Sequence, residues 1–231
     1  VITALTAQNG QGVRGIHAPE PEFAVLQLRT VLEGFPVAAA KTGMLFSAGI
    51  IRALAAELRK VAFPLVVDPV SVSQSGSPLL QEDAIAALKE EMIPLSTLLT
   101  PNRPEAEALT GMTIRSIDDA FAAGEKLLDM GARAVLIKGG HMESSIVVTD
   151  CLLVKGEAPK TLPQPKVETE NNHGTGCTLS AAIATGLGKG EPLSVAVKHA
   201  QEYLNLALRT SYAPGKGCGP VNHAAPFQTA G

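Results

Sequence analysis

Short apolar runs alternate with stretches whose apolar residues recur at helical spacing, and no repeat, low-complexity tract or long linker breaks the alternation. Phe23, Leu26, Leu28, Val31 and Leu32 fall at helical intervals and predict a helix over 23–35; residues 48–60 repeat the pattern. Between them, 39–44 begins as a short strand, and the chain itself opens on a strand that ends near Gln8. Further helices are expected over 80–92, 104–110, 117–130, 177–187 and 192–210. The apolar runs at 65–70, 98–99 and 134–137 read as buried strands. From 147 to 167 short strands with turns at Lys155-Gly156-Glu157 and at Pro163 read as antiparallel edge strands. Strands and helices in alternation make an α/β chain built on a mostly parallel sheet. A chain of 231 residues, 45% apolar and without tryptophan, suits one domain of small-residue helices packed on that sheet, burying on the order of 70% of its unfolded surface.

The chemistry sits where strands end. Asp68 and Pro69 close one run. Thr100-Pro101-Asn102 closes the next and opens a helix with Glu105 in its first turn, and Lys138-Gly139-Gly140-His141 closes a third. A small-residue turn, His173-Gly174-Thr175-Gly176-Cys177, then runs into a helical pattern. Each motif alone has an ordinary explanation: a turn after a strand, an Asn-x-x-Glu capping box, a surface loop, a glycine-capped helix with a buried cysteine. In an open parallel sheet, however, strand ends converge. Together they offer two carboxylates for a divalent metal, a lysine for phosphate charge and a glycine turn whose helix amides suit an anion, an inventory for phosphoryl transfer. Cys177, at that helix mouth, is placed to take a proton from a substrate hydroxyl or to act as a nucleophile.

Composition narrows the alternatives. A formal net charge of −3 without a basic cluster argues against nucleic acid, which demands concentrated Lys and Arg. Cys151, Cys177 and Cys218 are odd in number and widely spaced, so neither a disulfide framework nor a zinc site is indicated, and a reducing compartment fits. No apolar run approaches the roughly 18 residues of a membrane span. No Gly-x-x-x-x-Gly-Lys-Ser/Thr is present, which excludes a P-loop kinase at the level of motif. Gly186-Leu187-Gly188-Lys189-Gly190 reads as a helix end, and Gly215-Lys216-Gly217-Cys218-Gly219 meets Pro220 rather than a helix that could hold a pyrophosphate. His173 near Cys177 raises a thiol hydrolase, but nothing orients the histidine, and the carboxylate and lysine motifs would have no use.

At these blocks, together with Val1-Ile2-Thr3-Ala4-Leu5-Thr6-Ala7-Gln8-Asn9, Lys41-Thr42-Gly43-Met44-Leu45, Ser75-Gly76 and Gly217-Cys218-Gly219-Pro220-Val221, the chain resembles the hydroxymethylpyrimidine and phosphomethylpyrimidine kinases of thiamine biosynthesis, in the ribokinase-like superfamily. The resemblance covers essentially the whole chain. It implies a three-layer α/β/α sandwich with a mostly parallel central sheet, and ATP-dependent phosphorylation of a hydroxymethylpyrimidine and then of its monophosphate; pyridoxal kinase of the same fold is the alternative. It assigns catalysis to Cys177 with Gly174, Thr175 and Gly176, substrate contact to Gln8 and Met44, ATP phosphates to Lys138, Thr100 and Asn102, and Mg²⁺ to Asp68 and Glu105. A cytoplasmic homodimer is implied as well. Two departures stand out. The first strand, Gly-rich loop and helix of the family, about 30 residues of a βα unit, have no counterpart ahead of Val1, and Gln74 stands where the family often has lysine.

Overall fold

The computed structural model describes residues 1–71, 79–81, 83–139 and 146–227; Gln74, Ser75, Gly76, Gly140 and His141 lie outside them. Four short apolar strands, β3 (Ala40–Thr42), β4 (Leu65–Val67), β5 (Leu98–Leu99) and β6 (Ala134–Ile137), lie parallel and side by side in chain order. Two antiparallel strands, β7 (Val147–Val154) and β8 (Lys160–Pro165), extend the sheet beyond β6. The lone strands β1 (Leu5–Asn9) and β2 (Gly12–His17) pair only with each other.

Strands that advance in one direction through right-handed crossovers put every crossover helix on the same face. So α2 (Ala48–Leu58), α3 (Ala84–Ala87), α4 (Arg103–Thr110) and α5 (Ile117–Asp129) pack together on one side, joined there by α1 (Pro21–Gly34), which precedes β3, over Leu65, Val67, Leu99, Val135, Ile137, Cys151 and Leu153. The alternate strand residues, Val66, Leu98, Ala134, Leu136 and Leu152, point to the other face. There α6 (Thr175–Gly188) and α7 (Leu193–Arg209) cover them with Leu179, Ile183, Ala196, Val197 and Ala200. Two apolar layers on opposite faces of one sheet make the expected α/β/α sandwich, and they explain why the central strands read as continuous apolar runs.

Several elements differ from the sequence reading. The opening strand is the outer half of a hairpin with an Asn9-Gly10-Gln11 turn, closed by the Asn9 side chain accepting the Gln11 N–H at 2.9 Å; β2 has too few large apolar residues to announce itself. The helix expected over 80–92 starts at Ala84 and passes into a π-helical turn over Leu88–Met92 and a 3₁₀ turn over Ile93–Leu95, where Pro94 cannot supply the N–H an α-helix needs. Pro163 is not a turn: it pairs with Thr149 inside β8, an edge strand, where a missing donor is tolerated. On α1 the buried face is Ala24 and Leu28, whereas Phe23 and Leu26 are each 56% exposed.

Candidate active site

Because β4, β5 and β6 run parallel, their C-terminal ends open on one edge of the sheet, and that edge gathers Asp68, Thr100, Asn102 and Lys138. The Lys138 N–H donates to the Pro101 carbonyl at 2.9 Å, which ties the end of β6 to the turn after β5. Its ammonium donates to Asp68 Oδ1 at 2.9 Å and lies 3.8 Å from Glu105 Oε2. Asp68 and Glu105 are only 2% and 5% exposed, so this charge cluster is largely shielded from water. Burial alone would disfavour the Lys138 ammonium, but Asp68 and Glu105 outweigh it and raise its pKa. Burial lifts the Glu105 carboxyl above its usual range; Lys138 and the Asn102 amide pull it back in part.

Helix α6 reaches the cluster from the other face. Gly174 caps it with φ of +83°, a left-handed conformation that glycine adopts without strain. Thr175, Gly176 and Cys177 therefore begin the helix two residues earlier than the apolar pattern predicts, and their N–H groups are first-turn amides without intrahelical acceptors. Gly176 faces the charges: a Cβ there would lie 3.2 Å from Lys138 Nζ and 3.8 Å from Asp68 Oδ2. Cys177 is exposed at the helix mouth, and its charge would act on Lys138. Cys177, Gly174 and His173 also line one end of a cleft of about 900 Å³ that includes Thr185 and His199; Asp68, Glu105 and Lys138 are not in its lining. The Lys138 and Asp68 charges thus gather at the α6 mouth and not in the body of the cleft.

Two further candidates, Thr100 and Asn102, have partners within the protein. Thr100 is fully buried, and its hydroxyl lies 3.3 Å from Asp68 Oδ1 and 3.5 Å from the Val67 carbonyl oxygen, either of which can accept from it. Asn102 is the N-cap of α4: its side chain accepts the Glu105 N–H at 2.9 Å while Glu105 Oε2 accepts the Asn102 N–H at 2.7 Å. Thus Glu105 is a capping-box partner and a neighbour of Lys138 at once. Asp68 and Glu105, the carboxylates that the sequence offers to Mg²⁺, both lie within 4 Å of the Lys138 ammonium, and among the described residues no group of three or more His, Cys, Asp or Glu side chains could hold a metal ion.

The remaining candidates lie further out. Gln8 is exposed on β1 at a bulge in the hairpin. The hairpin tip is nonetheless tied to the site: Gly10 O accepts the Cys218 N–H at 2.9 Å, and Gly219 O accepts the His173 N–H at 3.0 Å. The glycine loop at 215–219 thus bridges the hairpin and the anion turn. Met44 is half-buried just past β3, and its carbonyl accepts from the Thr3 hydroxyl at 2.6 Å. Sequence reasoning gave no role to Ser180, which is fully buried on α6, its hydroxyl 3.1 Å from the Cys177 carbonyl oxygen and 3.3 Å from Asp68 Oδ2, either of which can accept from it. A serine three positions beyond Cys177, on the same face of the helix, was the available signal.

The three-layer sandwich with its parallel strand ends beside the α6 mouth is the ribokinase-like fold of small-molecule kinases, as the solved structures below share it. The sequence model of the phosphomethylpyrimidine kinase family matches residues 1–222. The hydroxymethylpyrimidine/phosphomethylpyrimidine kinase of Bacillus subtilis is 42% identical over 97% of this chain and 83% of its own length. The thiamine biosynthesis bifunctional protein of Geobacter sulfurreducens is 46% identical over 96% of the chain, which spans 45% of that longer relative. Among solved structures, the phosphomethylpyrimidine kinase of Clostridium difficile has a TM-score of 0.77 at 38% identity, covering 89% of this chain and 84% of that one. The ADP complex of Bacillus subtilis pyridoxal kinase has a TM-score of 0.86 at 30% identity, covering 97% and 84%. The chain belongs to the phosphomethylpyrimidine kinase family.

Proposed function

We propose that this chain transfers the γ-phosphoryl of ATP first to the hydroxymethyl of 4-amino-5-hydroxymethyl-2-methylpyrimidine and then to the monophosphate so formed. The observation that carries the reading is the α6 mouth set against the Lys138 ammonium, which Asp68 anchors, a fixed field of donors for a phosphoryl group in transit. The first-turn amides of α6 hold the oxygens on which charge develops, and Lys138 faces them with a cation that Asp68 and Glu105 keep protonated. Cys177, at the same mouth, accepts the proton that the pyrimidine hydroxyl must lose. Asp68 and Glu105 would hold Mg²⁺, which would supply positive charge against the phosphate oxygens. Thr100 and Ser180 keep the Asp68 carboxylate oriented. Gln8, whose amide can donate and accept together, reads the aminopyrimidine edge from the hairpin, with Met44 against the ring. The same reading makes the enzyme a cytoplasmic homodimer.

Turnover of hydroxymethylpyrimidine and Mg-ATP, resolved by product mass, should give the monophosphate and then the diphosphate. Pyridoxal phosphorylation without pyrimidine product would replace this reading by its alternative, to which the likeness to pyridoxal kinase structures gives weight.

The metal assignment has its own test. Glu105→Gln keeps the capping box, since glutamine serves at that position, so α4 should stay intact while the Mg²⁺ requirement rises and turnover falls. A proton on Glu105 competes with the metal, and burial makes that carboxyl easier to protonate. In the wild type, Mg²⁺ dependence should steepen as pH falls towards the raised pKa, and the variant should lose this trend. Identical magnesium titrations in both proteins would leave Glu105 as a helix cap alone.

A further inference from the structure

Asp150 is a carboxylate buried in β7 between Thr149 and the apolar run 151–154, 6% exposed, with both oxygens engaged. Oδ1 accepts the Gly139 N–H at 2.8 Å, and Oδ2 accepts from Gln201 Nε2 on α7 at 2.7 Å. Gln201 is itself only 5% exposed. Burial pushes the Asp150 carboxyl up, while these two bonds and the nearby Lys138 charge pull it down.

The strand ladder explains why a side chain is needed here. β6 and β7 pair as far as Ile137 opposite Cys151. Past that point the Gly139 N–H is met by the Asp150 carboxylate in place of a main-chain carbonyl. Gly139 also lies flat against β7: a Cβ there would fall 1.9 Å from the Thr149 carbonyl oxygen, a space only glycine permits. The Lys138-Gly139 segment is therefore held from two directions, by Pro101 through the Lys138 N–H and by β7 through Gly139. A leucine at 150 would pack without the cost of a buried charge, but it would leave the Gly139 N–H without its acceptor.

We propose that Asp150 is a positioning residue for phosphoryl transfer: braced by Gln201, it fixes the Lys138-Gly139 backbone and so holds the Lys138 ammonium in line with the mouth of α6. The inference rests on the kinase reading above. It gives the buried carboxylate a consequence at the reacting phosphate, because an error of about 1 Å in a charged group costs on the order of 10²-fold in rate.

The test compares Asp150→Asn, Asp150→Ala and Lys138→Ala in the full chain, by steady-state kinetics with circular dichroism as the check on folding. Asparagine retains an acceptor for Gly139, and its amide can donate to Gln201 once that amide turns over, so kcat should stay near the wild-type value. Alanine should lower kcat by roughly 10²-fold with the pyrimidine KM unchanged. A role confined to packing would lower the melting temperature of Asp150→Ala and leave kcat of the folded protein untouched. Should Asp150→Ala not fold, Gln201→Leu removes the brace alone and should lower kcat several-fold at constant KM; wild-type kcat in that variant would then overturn the proposal. Full activity in folded Asp150→Ala beside an impaired Lys138→Ala overturns the positioning role only. Equal losses in the asparagine and alanine variants overturn it too. If Lys138→Ala is itself fully active, the kinase reading of Lys138 fails, and the inference falls with it.

Discussion

Replacing Lys138 by methionine is expected to lower kcat by roughly 10²–10³, the loss typical of removing one preorganised electrostatic stabiliser from a reaction site. It should also destabilise the fold in a pH-dependent way. Asp68 and Glu105 are both buried, and Lys138 is their shared counter-charge, at 2.9 and 3.8 Å. Deleting one member of a buried ion pair costs about 3–5 kcal/mol, because the charge left behind keeps its desolvation penalty. The chain can relieve that penalty by binding a proton. Glu105 is already raised by burial and is pulled down chiefly by Lys138, so in the variant its folded-state pKa climbs further above the unfolded value. A carboxyl raised on folding contributes stability below its unfolded pKa and loses it as pH rises through the folded one. The gap in melting temperature between variant and wild type should therefore widen from mildly acid to neutral pH. Thermal unfolding across that range measures it, and a gap that does not change with pH would show that Glu105 does not depend on the lysine.

Cys177→Ala is expected to separate the two phosphorylations. The first substrate brings an alcohol that must lose its proton, whereas the monophosphate brings an oxygen largely ionised near neutral pH, so only the first step needs a general base, a contribution of roughly 10²–10⁴ in rate. The third residue of α6 keeps its backbone N–H when it becomes alanine, and Cys177 is exposed, so the change opens no cavity in the core. kcat/KM should fall much further for hydroxymethylpyrimidine than for its monophosphate in the same protein. Equal losses would mean that the residue acts through the shape of the α6 mouth, and no loss in either would remove it from the mechanism.

Much of this arrangement was legible in the order of residues. The apolar runs ending in Asp68, in Thr100-Pro101-Asn102 and in Lys138 are strands for a local reason, since short β-branched and leucine-rich segments bounded by Pro and Gly have few other stable forms. The glycine turn before Cys177 likewise foretold a helix N-terminus, because Gly174 takes a left-handed φ that most residues resist. The blocks that match the family model run in one dimension and needed no folding to be read.

What depended on the fold was which neighbour each side chain would meet. Thr100 sits in the sequence two residues before Asn102, and only the parallel pairing of β4 and β5 brings its hydroxyl next to Asp68. Ser180 and Asp150 lie 112 and 11 residues from the groups they bond, and neither distance along the chain says anything about direction in space. The exposed stripe of Phe23 and Leu26 looked as apolar as the buried face of α1. By itself the sequence determined most of the elements, their order and the residue types at the strand ends, though not β2 or the short turns after α3, because propensity, turn chemistry and hydrophobic period act over a few neighbouring residues. Only the tertiary structure decided that Lys138 would be shared between two buried carboxylates beneath the α6 mouth, because burial and charge pairing are set by sheet register and layer packing, which join residues that no local rule connects.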